Sequence, residues 1–252
     1  MRKILVLLLL TVSCKILAQS ILPGEESAIR AVRDGIQIPA QAPNRGRGTG
    51  PFETLIIKDV MLISGEGAPP RGPVSIVIKN DLIESIVGSA PSIANAEVID
   101  ASSMYALPGF IDSHVHIGNT GQGLTGPITP PEYVFKLWLA HGITTVREVG
   151  SIMGLDWTVE HARRSDVGEI TAPRIVAYAM FPGGSITGAS EAKAWVEEVY
   201  RRGAKGVKLR GATIDATRAI YETAAALGMG TASHHDQTSV YSVNVLDSAR
   251  MG

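Results

Sequence analysis

Cysteine is almost missing from this sequence. Of its 252 residues only Cys14 is one, and it lies in the amino-terminal segment. A chain cut beyond that segment would carry no thiol, which excludes a disulfide frame and thiolate chemistry. Aromatic residues are scarce, at 5%, and charged residues are modest, at 19%. Their signs nearly cancel, with 23 Lys and Arg against 24 Asp and Glu and a formal net charge of −1. No excess of positive charge exists to attract nucleic-acid phosphates. Long apolar runs are lacking as well. The one candidate, ILVLLLLTV (4–12), is too short to span a bilayer as a helix. The composition points away from disordered and collagen-like classes and suits an ordinary α/β core.

What is present begins with that amino terminus. Arg2 and Lys3 precede the apolar run, and small and polar residues follow it, the order of an export signal. Ala18 and Ser20 suit a cut after Ser20, and a cut after Ala18 also fits. Thr-Val-Ser-Cys (11–14) has some likeness to a lipid-anchor box but lacks leucine three positions before Cys14. A soluble exported protein, periplasmic or extracellular, is therefore expected over a lipid-anchored one. Residues 21–53 mix Gly, Pro, Arg and Asn without apolar periodicity and read as a tail or linker.

Order is predicted from TLIIKDVMLI (54–63), followed by PVSIVIK (73–79), DLIESIV (81–87) and EVIDAS (97–102), the strands of a small β unit over 54–104. Asn80-Asp81 is turn chemistry for a hairpin. From residue 105 strands alternate with helices. The strand candidates are ALPGFID (106–112), ITTVREV (143–149), RIVAYAM (174–180), GVKLR (206–210) and MGTASH (229–234). Helical period is clearest over 191–202, where Ala192, Trp195, Val196, Val199 and Tyr200 form one stripe. Ser190 is placed to cap that helix and Gly203 to end it. Pro130 and Pro131 open an earlier helix closed by Gly142, another covers about 215–227, and a last one is expected over 238–252. Such alternation predicts an α/β fold with a parallel sheet and helical crossovers.

The most informative string is LPGFIDSHVH (107–116). Histidines at i and i+2 on extended chain point the same way, with Cα atoms roughly 6.5–7 Å apart. Imidazoles so placed can converge on one ion. The string resembles the strand-one signature of the amidohydrolase superfamily, Pro-Gly-(apolar)-(apolar)-Asp-x-His-x-His following a small β-sandwich. The resemblance covers nearly everything from 54 to 252, including HGITTVREVG (141–150), and is strongest to the branch of imidazolonepropionases and prolidase-like dipeptidases. It implies the amino-terminal part of a (β/α)8 TIM-type barrel, about five βα units over 105–252, preceded by a partial β-sandwich.

Further donors sit where the resemblance asks for them. In GAKGVKLRG (203–211), strand alternation sends Val207 and Leu209 outward and Lys208 inward. In two-metal members of the superfamily the strand-four lysine is carboxylated by CO2 and bridges both ions, and Lys208 matches that position. The bland alternative is a lysine snorkelling at a strand end. In SHHDQ (233–237) the resemblance favours His234 as a metal ligand, with His235 and Asp236 beside it as weaker candidates for contacting substrate or supporting the site. His141 and His161 read as ordinary helix residues and Asp112 as structural. Glu148, after Arg147, is ambiguous, and Pro182-Gly183-Gly184 reads as a turn or a loop over the site.

The function implied is hydrolysis of a C–N bond (amide, peptide or cyclic amide) by attack of a metal-bound hydroxide. Divalent ions, zinc first, would be held by His114, His116, carboxylated Lys208 and His234. The strand-six histidine and the strand-eight aspartate of the family have no counterpart in these 252 residues, so no catalytic residue is assigned. The expectation is an incomplete polypeptide, inactive on its own. Two alternatives remain open at this point: a single-metal deaminase or imidazolone-type hydrolase with uncarboxylated Lys208, and a non-catalytic binding protein on the same scaffold. The expected partner is a small molecule or short peptide, and homo-oligomer formation by the complete protein stays open.

Overall fold

The structure is a computed structural model that describes residues 51–117, 131–235 and 243–251. The expected export signal with Cys14, most of the 21–53 tail, Pro130 and Asp236 lie outside the described residues. Contacts separate the described chain into two compact units divided between residues 111 and 112, with 141–145 joining the first.

The first unit is built on one sheet of five strands: β1 (Thr54–Leu62), β2 (Arg71–Lys79), β3 (Leu82–Val87), β4 (Glu97–Asp100) and β5 (Tyr105–Ala106). Their order is β3-β2-β1-β4, and β5 also pairs with β1. β1–β2 and β2–β3 are antiparallel, while β4 and β5 run parallel to β1. Asn80 adopts a left-handed φ of 53° in the β2–β3 turn, a conformation asparagine tolerates better than most residues. Val60, Leu62, Ile76 and Ala101 form the core of this unit. The sequence predicts one strand over 106–112, and here the structure differs. Leu107-Pro108-Gly109 interrupts it, so β5 ends at Ala106 and the next strand starts at Phe110. Proline has no N–H to give to a ladder, which makes it a natural break.

The other sheet is curled and parallel, with helical crossovers. Along the chain come β6 (Phe110–Val115), α1 (Pro131–Ala140), β7 (Ile143–Glu148), α2 (Leu155–Asp166), β8 (Arg174–Met180), α3 (Ala189–Arg201), β9 (Gly206–Arg210), α4 (Ile214–Ala226), β10 (Gly230–His234) and α5 (Val245–Met251). The strand order β10-β9-β8-β7-β6 follows the sequence without a crossover, as in one side of a barrel.

The sheet is held by its helix-facing side. Ala192, Val196 and Val199 of α3, Val207 and Leu209 of β9, and Ala216, Ile220 and Ala224 of α4 form one buried cluster. Each fully buried Val or Ile there contributes on the order of 1.5–3 kcal/mol through apolar surface removed from water. α3 begins one residue before Ser190, with Gly188 in extended conformation as its N-cap and no side-chain cap bond. Ser190 is therefore inside the helix and does not cap it. Gly203 at φ 97° does end it. Thr213 caps α4, its hydroxyl oxygen accepting the Ala216 N–H at 3.2 Å. The terminal helix is described only as α5, and residues 236–242 lie outside the description.

Candidate active site

Strand alternation divides β9 cleanly. Val207 and Leu209 go to the helices, and Lys208 goes to the opposite face, where it is only 3% exposed. Register then fixes its neighbours. Met180 of β8 and Ala232 of β10 lie beside Lys208, Tyr178 and Gly230 flank Gly206, and Arg210 pairs with His234. Lys208, Arg210 and His234 therefore share a face with Tyr178.

Tyr178 makes the floor of this face. Its ring lies across the starts of β9 and, one strand further, β10: a Cβ at Gly206 would sit 2.3 Å from Tyr178 Cζ, and one at Gly230 would sit 2.0 Å from its hydroxyl oxygen. Only glycine leaves room for that ring. Arg147 of β7 packs over it, with Cζ 5.3 Å from the ring centroid, and its Nε donates to the Ser113 carbonyl at 2.7 Å. The guanidinium thus ties β6 to β7 and β8 on the face that carries Lys208.

His114 lies in β6 and His116 just beyond it, with ring centroids 5.3 Å apart and planes inclined at 69°. Asp112 Oδ1 accepts the His114 N–H at 3.1 Å, a structural role for that carboxylate. His116 Nδ1 lies 3.2 Å from the Gly150 carbonyl, a geometry that places the proton on Nδ1 and leaves Nε2 as the free donor atom. Desolvation first, and then the positive charges of Lys208 and Arg147, hold the His114 imidazole below its ordinary range. Neutral imidazole is the ligating form. Burial and the like charges of Arg147 and Arg210 lower the Lys208 amine as well.

Glu148, ambiguous from sequence, is fully buried at the end of β7. Its Oε2 accepts the Ile117 N–H. Its Oε1 has no hydrogen-bond partner among the described residues and stands 3.8 Å from His116 Nδ1. Burial pushes this carboxyl up to about 7, against the opposing pull of the Ile117 and Gly150 amides.

The structure thus brings His114, His116 and the Lys208 charge together and places His234 on the same sheet face at the exit of β10. His234 and His235 are exposed and line a depression with Leu209, Gly211, Thr217 and Ser233. Among the described residues no three His, Cys, Asp or Glu side chains close into a metal-holding group. The donor set still suits a divalent ion in its chemistry: an imidazole pair at ligand spacing, one ring oriented through Nδ1, and a buried lysine with no carboxylate partner among the described residues. Pro182-Gly183-Gly184 is a tight 3-10 turn at Gly183–Ser185 after β8. His161 stacks on Trp157 at 3.7 Å with Nδ1 at 2.9 Å from the Trp157 carbonyl, an ordinary helix contact. Sequence reasoning missed Arg147 and Tyr178. Their signals were a cation inside an otherwise apolar strand, and glycines opening two successive strands.

No family model matches the chain. Over 175 residues it is 33% identical to adenine deaminase 2 of Rhizobium etli, a match covering 66% of this chain and 28% of that protein. The chain thus spans well under a third of the length of that curated relative. Among solved structures, a candidate prolidase from Bifidobacterium longum aligns with a TM-score of 0.65 at 21% identity, covering 80% of this chain and 53% of that one. Phenylurea hydrolase B aligns with a TM-score of 0.61 at 18% identity, covering 75% and 57%. The solved structures share the fold of this chain, and the chain belongs to the amidohydrolase superfamily.

Proposed function

We propose that the protein is a metal-dependent hydrolase that cleaves a carbon–nitrogen bond in a small molecule or short peptide. The observation that carries this reading is the His114–His116 pair, with His116 Nδ1 turned to the Gly150 carbonyl so that Nε2 is left for an ion. Bound there, a divalent ion, zinc first, supplies water activated near neutral pH and polarises the carbon under attack. His114 and His116 would hold that ion, and Lys208, once carboxylated, would with His234 offer donors for a second. In that modification the neutral Lys208 amine forms an N–C bond to CO2 and gives up a proton to solvent, leaving an anionic carbamate. The positive charges of Arg147 and Arg210, which act on Lys208, favour the anion over an ammonium at that point. Tyr178 and Arg147 keep the floor of the site filled and β6 in place.

A second reading has its own support. The relative from Rhizobium etli is named an adenine deaminase, which favours ammonia release, and this reading takes one metal and a free Lys208. Both readings share hydrolytic C–N cleavage and differ in ion count. His235 and Asp236, beside His234, are proposed to contact substrate. Export is part of the proposal too and rests on Arg2, Lys3 and the run 4–12. Cell fractionation checks it, and retention in the cytosol would refute it.

The test is hydrolysis by the full-length protein of a panel of dipeptides, cyclic amides and adenine, before and after chelation. Amine or ammonia release that chelation abolishes and zinc restores is expected, with loss in His114→Ala. Metal-independent turnover, or no C–N cleavage by metal-loaded protein, would overturn the reading. Ion content with and without bicarbonate separates the two versions: bicarbonate should raise it in the two-metal enzyme and leave it unchanged in the single-metal one.

A further inference from the structure

We propose that Glu148 is a positioning residue for His116: its buried carboxylate, placed behind the imidazole, fixes the Nδ1–H tautomer and so aims Nε2 at the metal. This rests on the reading of His116 as a ligand. Glu148 is fully buried, yet among the described residues only one of its oxygens has a hydrogen-bond partner. Oε2 accepts the Ile117 N–H, which anchors the chain immediately after the His-x-His strand. Oε1 has no hydrogen-bond partner among the described residues and faces His116 Nδ1 at 3.8 Å. The Gly150 carbonyl lies on the same nitrogen at 3.2 Å. Among the described residues these two acceptors face Nδ1 when the carboxyl is ionised, an environment that the Nδ1–H tautomer satisfies. A buried acceptor left unsatisfied is costly, and a carboxylate costs more than a neutral group. Small movement of the ring toward Oε1 as the ligand bond forms would supply the missing donor. Ligating histidines are commonly held in this way through their second nitrogen, and removing the supporting group typically weakens metal binding about 10–100-fold.

Glu148→Gln separates positioning from packing. The glutamine has nearly the same shape, and its carbonyl oxygen can keep the Ile117 N–H, but its NH2 then faces Nδ1 as a donor. Two measurements on the full chain decide the matter. Long-range nitrogen–proton NMR of the metal-free protein should show His116 protonated on Nδ1, and Glu148→Gln should shift population to the Nε2–H form. Zinc affinity, by competition with a chelating dye, should fall about 10–100-fold in Glu148→Gln with the circular dichroism spectrum unchanged. An unchanged tautomer and unchanged affinity in a folded Glu148→Gln would leave the Gly150 carbonyl as the sole support and overturn the proposal. If that variant does not fold, the wild-type tautomer still decides: an Nε2–H His116 would overturn the proposal by itself. A wild-type chain that binds no zinc would instead sink the functional reading, while the tautomer of metal-free His116 would still report on Glu148 separately.

Discussion

On the helix-facing side of β9, Val207 and Leu209 are sealed among Val196, Ala216 and Ile220. On the opposite side Lys208 is scarcely more exposed, at 3%, but there the positive charges of Arg147 and Arg210 act on it. One face of one strand stabilises the sheet. The other face keeps a cation in poor solvation beside like charges, an arrangement that costs free energy and is retained where it serves chemistry. The same division runs through β8, where Ala179 joins the helix cluster and Tyr178 fills the floor of the site.

Four substitutions test that division, ordered by their expected effect on stability. Ile220→Ala, at a fully buried helix-facing position, should cost about 2–5 kcal/mol in denaturant unfolding and leave zinc affinity of the folded protein unchanged. Gly206→Ala forces a Cβ to within 2.3 Å of Tyr178 Cζ, so the ring must shift. A loss of about 1–3 kcal/mol is expected, together with weaker metal binding as the Arg147 stack moves. Thr213→Ala removes the cap of α4 and should cost about 1 kcal/mol, read as a lower unfolding midpoint with no change in metal content. Lys208→Met should leave the midpoint unchanged or raise it, because a poorly solvated cation is replaced by an apolar chain of similar length. The same substitution should remove bicarbonate-dependent metal uptake. A Lys208→Met protein that lost stability and kept its metal would reverse the assignment of the two faces.

Much of this was legible from residue order. The β8 range of 174–180 and the β9 range of 206–210 follow from apolar runs bounded by turn signals, and the burial of Lys208 follows from the period of two along Val207, Lys208 and Leu209. The His114–His116 proximity is a property of extended chain alone. What escaped depends on which strand lies beside which, and in what register. That Tyr178 meets Gly206 and Gly230, or that Arg147 reaches the Ser113 carbonyl, follows from pairings that no single strand encodes. Glu148 escaped for the same reason: its partner Ile117 is 31 positions away. The start of α3 was misjudged because serine is a good cap in general, whereas here Gly188 supplies an extended cap without a side-chain bond.

The central claim is that His114 and His116 hold a metal ion. The most direct measurement is elemental analysis of the full-length protein after zinc loading and desalting, wild type beside His114→Ala and His116→Ala. The account predicts bound zinc in the wild type and its loss from both variants, with secondary structure kept. Wild-type protein free of zinc, or variants that retain it in full, would contradict the account.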